Sequence, residues 1–437
     1  MREAFLRKGG IGFVKQKEAS RLSVVAGILL GVLLAASPLP ARGRGATGSA
    51  QRQPPLLGTE HRATEAPLPP SEGEGAVALM IELADSYIDL WKDPTALAWT
   101  WGPGVFLYGL SQAAEVSGDP RYEAYIAAYL DRWIDEAGDL TVRVLYPDHI
   151  TPAIVTAWML ERTGDPRYEK VCDTLAAWLM NEAPRAANGG WLHLPVGDVQ
   201  YVDTLFMTTI FLANHGAYQG DVAEIREALR QHELLAEHLY AAEARLFWHG
   251  WDENGLFSPW ATPWRKHNDA FWGRGNGWAV SALTRVLALA DPGFPGFEEA
   301  RGRLVAVLGR LQELQAPDGH WWTVVDQGGR PGNYTETTAT ALITEAACRA
   351  ARLGLAPSPP TDGVTRALSG IVSRLQRDRQ GRLRLLGASV GTNPSGYLGY
   401  ILVPTAPDRF WGVGATLLLL AESSRAPCAE AWPSRSW

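Results

Sequence analysis

"SGDPRYEAY" at residues 117–125 and "TGDPRYEKV" at residues 163–171 are two near-copies of one junction. Each separates two segments whose apolar residues recur with the helical period. Gly provides the left-handed backbone that ends one helix. Asp accepts from the first free N–H groups of the next helix. Pro suits the first helical position, where no N–H is needed. The motif therefore predicts a helical hairpin with almost no loop. Weaker versions occur at "QGDVAEI" (219–225) and "ADPGFPGFEEA" (290–300), and a fifth short junction lies at "ARLGLAPSPPTD" (351–362).

Outward from these turns, helical periodicity marks about twelve helices, near 76–94, 103–117, 120–137, 150–163, 166–182, 202–218, 221–240, 277–290, 296–315, 335–353, 363–376 and 410–424. Strand-like alternation is sparse. Five short turns leave the first and last helices to close the figure, which gives six helical pairs. Such pairs bury a continuous core only together. Because no terminal capping repeat is visible, the fold expected is all-α, an (α/α)6 barrel, in preference to an open solenoid.

The longer connections fall near 95–102, 138–149, 183–201, 241–276, 316–334 and 377–409, and in an alternating toroid they emerge on one face. They carry the aromatic, His and Gly-rich clusters: "WTWGPG" (99–104), "YPDHITP" (146–152), "GGWLHLP" (189–195), "FWHGWDENG" (247–255), "PWRKHNDAFWGRGNGW" (263–278) and "DGHWWTVVD" (318–326). A pocket lined by Trp with a few convergent polar groups suits a sugar, whose C–H faces stack on the rings while its hydroxyls are held by hydrogen bonds.

The 437-residue chain is 46% hydrophobic with net charge −7. Residues 1–41 combine several Lys and Arg with an apolar run from Leu22 to Ala36, the order of a signal peptide, with an uncleaved membrane anchor as the alternative. Residues 42–75 are a linker rich in Pro, Gly, Ser, Ala and Arg. The helical domain is expected over 76–425, with a tail at 426–437. A periplasmic or extracellular location follows from the N-terminal segment. Residues 1–62 carry a charge of +7, which leaves −14 for the remainder. An acidic body argues against nucleic acid as a partner. Cys172 and Cys348 lie in apolar helical patterns and are expected in the core rather than in bridges. No Cys/His spacing suggests zinc, and neither a phosphate loop ending in Lys-Ser/Thr nor a G-x-S-x-G is present.

The residues with chemistry to offer each have a plain alternative. Asp203, in "QYVDTLFMTTIF", opens an apolar helix and is either an N-cap or a carboxyl whose apolar surroundings raise its pKa enough for proton donation. Asp148 is a turn residue or a second carboxyl of the same site. His249, between Trp248 and Trp251, is a loop residue or a partner for a sugar hydroxyl. Arg274 ties loops to helix ends or grips a carboxylate with its planar fork. Arg265, Lys266 and His267 form a solvated face or help to hold an acidic sugar.

"FWGRGNGWAVSAL" (271–283) and "YVDTLFMTTIFLANHG" (201–216) together resemble the unsaturated glucuronyl and rhamnogalacturonyl hydrolases, glycoside hydrolase families 88 and 105. The Trp-Gly-Arg-Gly-Asn-Gly-Trp form is more similar to family 105. The likeness extends from about Glu74 to Glu422 and includes "WTWGPGVFLYGL", "HGWDENG", "DGHWWTVVDQ", "YTETTATALITEA" and "WGVGATLLLLAE". The resemblance implies an (α/α)6 barrel without metal or cofactor. Its substrate is an unsaturated oligosaccharide, as left by polysaccharide lyases, with a C4=C5 double bond in a terminal uronic acid. Asp203 then protonates C4 and serves as base for the water that adds at C5, and Asp148 is the second carboxyl. His249, Arg274, Trp272 and Trp278 correspond to ligand-contacting positions, with Tyr201, His193 and Trp101 completing the expected lining. The glycines of 273–277 would let the backbone approach the substrate. Two departures stand out: His193-Leu194 occupies the place of a His-Lys pair, and Tyr201 that of a Trp. Two other readings are an (α/α)6 epimerase, which needs paired His residues, and a non-catalytic binder of acidic polysaccharide.

Overall fold

A computed structural model describes residues 75–432 apart from 195, 196 and 426. The expected signal or anchor segment, and the linker up to residue 74, lie outside the described residues. Twelve long helices follow in order: α1 Gly75–Leu90, α2 Trp101–Ser117, α3 Pro120–Trp133, α4 Ala153–Thr163, α5 Pro166–Asn181, α6 Thr204–Gln219, α7 Val222–Leu239, α8 Gly273–Leu289, α9 Phe297–Glu313, α10 Thr337–Arg352, α11 Thr361–Ser373 and α12 Phe410–Ser423.

The repeated junction forms as its chemistry demands. Gly118, Gly164 and Gly220 end α2, α4 and α6 in the left-handed conformation. Asp119, Asp165 and Asp221 then cap α3, α5 and α7, accepting from the backbone N–H groups of Arg121, Arg167 and Ala223. These tight turns return each chain segment antiparallel to its partner.

Helices α2, α4, α6, α8, α10 and α12 contact one another in sequence, and α12 returns to α2, so six helices close an inner ring with α1, α3, α5, α7, α9 and α11 outside it. Burial follows from the layer. Outer α3 buries Tyr122, Tyr125, Ile126, Tyr129 and Leu130, one stripe of the helix. Inner α12 is buried from Trp411 to Ser423 without interruption, because it is covered on both sides. The ring closes through glycine. A Cβ on Gly414 of α12 would lie 2.2 Å from the Val105 carbonyl oxygen of α2, and one on Gly109 of α2 would lie 2.5 Å from the Gly414 oxygen. The backbones of the first and last inner helices therefore touch.

Every outer-to-inner connection is long, and every inner-to-outer one is short. The irregular chain thus gathers at the N-terminal ends of the inner helices, stiffened by short ladders such as Val199–Tyr201 against Gly250–Asp252, Trp321–Trp322 against Thr335–Glu336, and Ala388–Ser389 against Thr405–Ala406. Toward the other end, an ion network around the buried carboxylates of Glu345 and Glu422 links α8, α10 and α12: Arg285 reaches Glu345 at 2.9 Å, Arg349 reaches Glu345 at 2.7 Å, and Arg352 reaches Glu422 at 2.6 Å.

Two sequence expectations are corrected. Cys348 is not a free core residue; it is bonded to Cys428, fastening the segment after α12 to α10, while Cys172 stays free and buried. Periodicity could not pair Cys348 with a cysteine outside the helical pattern. Helix α8 begins at Gly273 rather than 277, so the glycine-rich stretch is helical. Its glycines answer to neighbouring protein: a Cβ on Gly273 would meet the Trp322 carbonyl at 2.3 Å, and one on Gly277 would meet Leu342 of α10 at 2.9 Å. Among the described residues no helix is long and apolar enough to cross a membrane.

Candidate active site

Asp203 immediately precedes α6, the position at which Asp119, Asp165 and Asp221 each cap a helix. It does not cap. Its backbone is already helical, with φ −67° and ψ −20°, and its side chain accepts no cap bond. Oδ1 of Asp203 is buried with no hydrogen-bond partner in the protein. A carboxyl oxygen left in that condition costs free energy unless it is protonated or meets a ligand or water. Desolvation raises the Asp203 pKa, partly offset by the charges of His193 and Arg274.

The second carboxyl arrives from a different element. A single turn at Pro147–His149 carries Asp148. His193 Nε2 stands 4.0 Å from Asp148 Oδ1, while its Nδ1 shares a 3.0 Å hydrogen bond with the Thr204 hydroxyl at the start of α6. Burial, against a pull downward from His193 and with a smaller push from the Asp203 charge, raises the Asp148 carboxyl to about 6. The fold therefore prefers the acid form. Stability from this group is full below the unfolded value near 3.8 and is lost as pH rises to about 6. Asp148→Asn is expected to raise the unfolding free energy by about 1–3 kcal/mol at pH 8, with the gain vanishing below about pH 4. Denaturant titrations at the two pH values check this, and an equal effect at both would contradict it.

Around the carboxyls runs an arc of rings and one cation. The His193 ring stacks on Tyr201 at 4.4 Å, Tyr201 meets His249 edge-on at 5.4 Å, and His249 stacks on Trp272 at 4.1 Å. The Arg274 guanidinium lies 4.5 Å from the Trp272 ring and 5.5 Å from that of Trp411, on which Trp101 stacks at 4.4 Å. The structure thus brings Asp148, His193, Tyr201, Asp203, His249, Trp272, Arg274 and Trp101 to one end of the barrel. Trp278 is placed elsewhere. It lies one turn further along α8, is buried, and packs on Phe206 of α6 at 4.5 Å, so it belongs to the core between inner helices. Trp248 and Trp251 do not flank His249 either: the first stacks on Phe271 and the second on His238.

Arg274 differs in detail from a free fork. Nη1 donates to Ser389 O at 2.8 Å, to Ser389 Oγ at 3.0 Å and to Glu336 at 3.3 Å. Nη2 donates to Val390 O and Thr392 Oγ1, both at 3.0 Å. Both terminal nitrogens are spent on holding the 389–392 segment. What remains is Nε–H, buried and unpartnered, together with the charge. His249 Nε2 and Trp272 Nε1 are likewise buried and unpartnered. One oxygen on Asp203 and nitrogens on three neighbouring side chains without protein partners are the inventory of a site that binds a polar molecule.

Sequence reading missed several contributors. Glu336, inside "YTETT", caps α10 with a 2.6 Å bond from Ala339 N and accepts from Ser389 N at 2.9 Å. Trp260 packs edge-on to Tyr201 at 6.3 Å. The Tyr400 hydroxyl lies 3.0 Å from His249 Nδ1. No local pattern around these residues distinguishes them from ordinary loop and core positions.

A family model, Glycosyl Hydrolase Family 88, matches residues 82–426. The unsaturated rhamnogalacturonyl hydrolase YesR of Bacillus subtilis (strain 168) is 27% identical over 333 residues, 74% of this chain and 89% of that protein. An unsaturated 3S-rhamnoglycuronyl hydrolase of Alteromonas sp. (strain LOR) is 22% identical over 343 residues, 74% of this chain and 76% of that protein. In fold, a glycoside hydrolase from family 105 of C. acetobutylicum ATCC 824 superposes with TM-score 0.73 at 24% identity, covering 79% of this chain and 99% of that one.

Proposed function

The chain belongs to glycosyl hydrolase family 88, and from that premise we propose that it removes a Δ4,5-unsaturated uronic acid from the non-reducing end of an oligosaccharide. The galacturonyl unit left by rhamnogalacturonan lyases is the preferred substrate. The similarity to the rhamnogalacturonyl hydrolase of B. subtilis over most of both chains supports this choice of uronide. One observation carries the chemistry: Asp203 stands at a helix start without capping it, and its Oδ1 is buried without a partner. Burial raises that carboxyl's pKa, so it holds a proton for donation more readily than an exposed Asp does.

In the reaction proposed, the Asp203 carboxyl gives its proton to C4 of the C4=C5 bond. The positive charge that develops at C5 is taken by water, whose proton returns to Asp203. The hydrated product is a hemiketal, which opens and releases the neighbouring sugar. Because this is hydration of a vinyl ether, carboxylate separation does not predict retention or inversion. Asp148, raised to about 6, is a second carboxyl in the same site that takes up a proton below neutral pH. The Arg274 charge lies close enough to Asp203 to act on it, and its Nε–H is free for an oxygen of the uronate. No Lys follows His193; Leu194 stands there, so the cation expected at that position is absent.

The test is the decay of ultraviolet absorbance from the conjugated uronate when purified protein meets lyase digests of rhamnogalacturonan and of glucuronate-containing polymers. Decay is expected on the first digest; a folded protein that consumes neither removes the reading. A periplasmic or extracellular site is proposed with it, since the Cys348–Cys428 bridge suits an oxidising compartment. Mass spectrometry of exported protein that retains residues 1–41 would exclude cleavage.

A further inference from the structure

The connection before α8 holds a fully buried side chain, Asn268, whose amide orientation is forced. Its Oδ1 accepts from the backbone N–H groups of His249 and Gly250, both at 3.0 Å. A flipped amide would set donors against donors. Its Nδ2 therefore faces Ala270 O at 2.7 Å, Ser395 O at 3.1 Å and the Tyr400 hydroxyl at 3.2 Å. An amide nitrogen cannot accept, so the Tyr400 proton does not go to Asn268. The remaining partner of Tyr400 Oη is His249 Nδ1, at 3.0 Å.

The direction of the chain follows. Asn268 presents N–H to Tyr400, and Tyr400 donates O–H to His249 Nδ1. A neutral imidazole that accepts at Nδ1 carries its proton on Nε2. His249 Nε2 is buried with no protein partner, on a ring fixed by stacking on Trp272 at 4.1 Å and edge contact with Tyr201 at 5.4 Å. Burial, with smaller contributions from His193 and Arg274, holds the His249 pKa well below the usual range, so the ring is neutral. Burial also raises the Tyr400 pKa, so its hydroxyl keeps its proton.

We infer that Tyr400 is a positioning residue: it holds His249 as the Nε2–H tautomer, and that N–H donates to an oxygen of the bound uronide. The nature of the acceptor rests on the function proposed above; the tautomer does not.

The experiment uses the full chain with ¹⁵N-labelled histidine, the His249 signals being assigned by their loss in His249→Gln. In the wild type from pH 6 to 8, His249 is expected to show an unprotonated Nδ1 and a protonated Nε2. Tyr400→Phe, which removes a single oxygen, is expected to move a substantial share of the signal to the Nδ1–H form. It should also raise KM about tenfold, the loss of roughly one hydrogen bond, with little change in kcat. A protonated Nδ1 in the wild type overturns the proposal, as does an unchanged tautomer in Tyr400→Phe. Should that variant not fold, the wild-type spectrum decides alone. An intact tautomer in a protein with no action on unsaturated uronides would remove the acceptor and the proposed function, and leave the role of Tyr400 standing.

Discussion

Asp203→Asn is expected to slow the loss of uronate absorbance about a thousandfold, within the range that a positioned acid–base group contributes, and to leave the fold intact. The second half of that expectation is what separates catalysis from structure. At Asp119, Asp165 and Asp221 the carboxyl closes a helix start, and replacing such a cap costs about 1 kcal/mol. At Asp203 the side chain makes no cap bond and its Oδ1 has no partner. Removing an ionisable group from that position relieves desolvation and forfeits no cap. The variant should therefore melt at or above the wild-type temperature while losing turnover. Rates on a rhamnogalacturonan lyase digest, paired with thermal melts, measure both. Full activity would end the proton-donor assignment. A drop in melting temperature comparable to that of a lost cap would return Asp203 to a structural role.

The second large effect is on stability. The Cys348–Cys428 bridge spans 80 residues of chain, and closing a loop of that length in the unfolded state corresponds to about 4.5 kcal/mol in the chain-entropy model. Cys428→Ser is expected to lower the unfolding free energy by about 2–4 kcal/mol, with kcat unchanged. The separation of effects comes from position. Cys348 lies late in α10, whereas the candidate site gathers at the N-terminal ends of the inner helices. Denaturant unfolding of oxidised wild type against the variant tests it, and thiol titration of the unreduced, unfolded wild type should find Cys172 alone. A midpoint unaffected by the substitution would show that the bridge contributes nothing, and three free thiols would show that it does not form.

The sequence by itself determined the number, order and approximate limits of the helices and the alternation of short and long connections. Each of these rests on few consecutive residues. A Gly-Asp-Pro turn contains its own C-cap, N-cap and first helical residue, and an apolar stripe declares itself within one helix. The closed ring could be argued from the same rhythm. Asp203, Asp148, His249 and Arg274 could be nominated because they fall on connections that the rhythm sends to one end.

Only the tertiary structure decided what each of those side chains does there. Asp203 looks like its three capping counterparts in sequence and differs in its backbone, which is already helical at that residue. The Arg274 fork is filled by oxygens from Ser389, Val390 and Thr392, more than a hundred residues away. Trp278 shares the helix face of Arg274 but lies one turn deeper in the barrel, where it packs on Phe206 in the core. Tyr400 reaches His249 across 151 residues, and Cys348 reaches Cys428 across 80. The physical reason is common to all of them. Local spacing sets the direction of a side chain from its own backbone, but its partners are supplied by segments that meet only when the ring of helices closes.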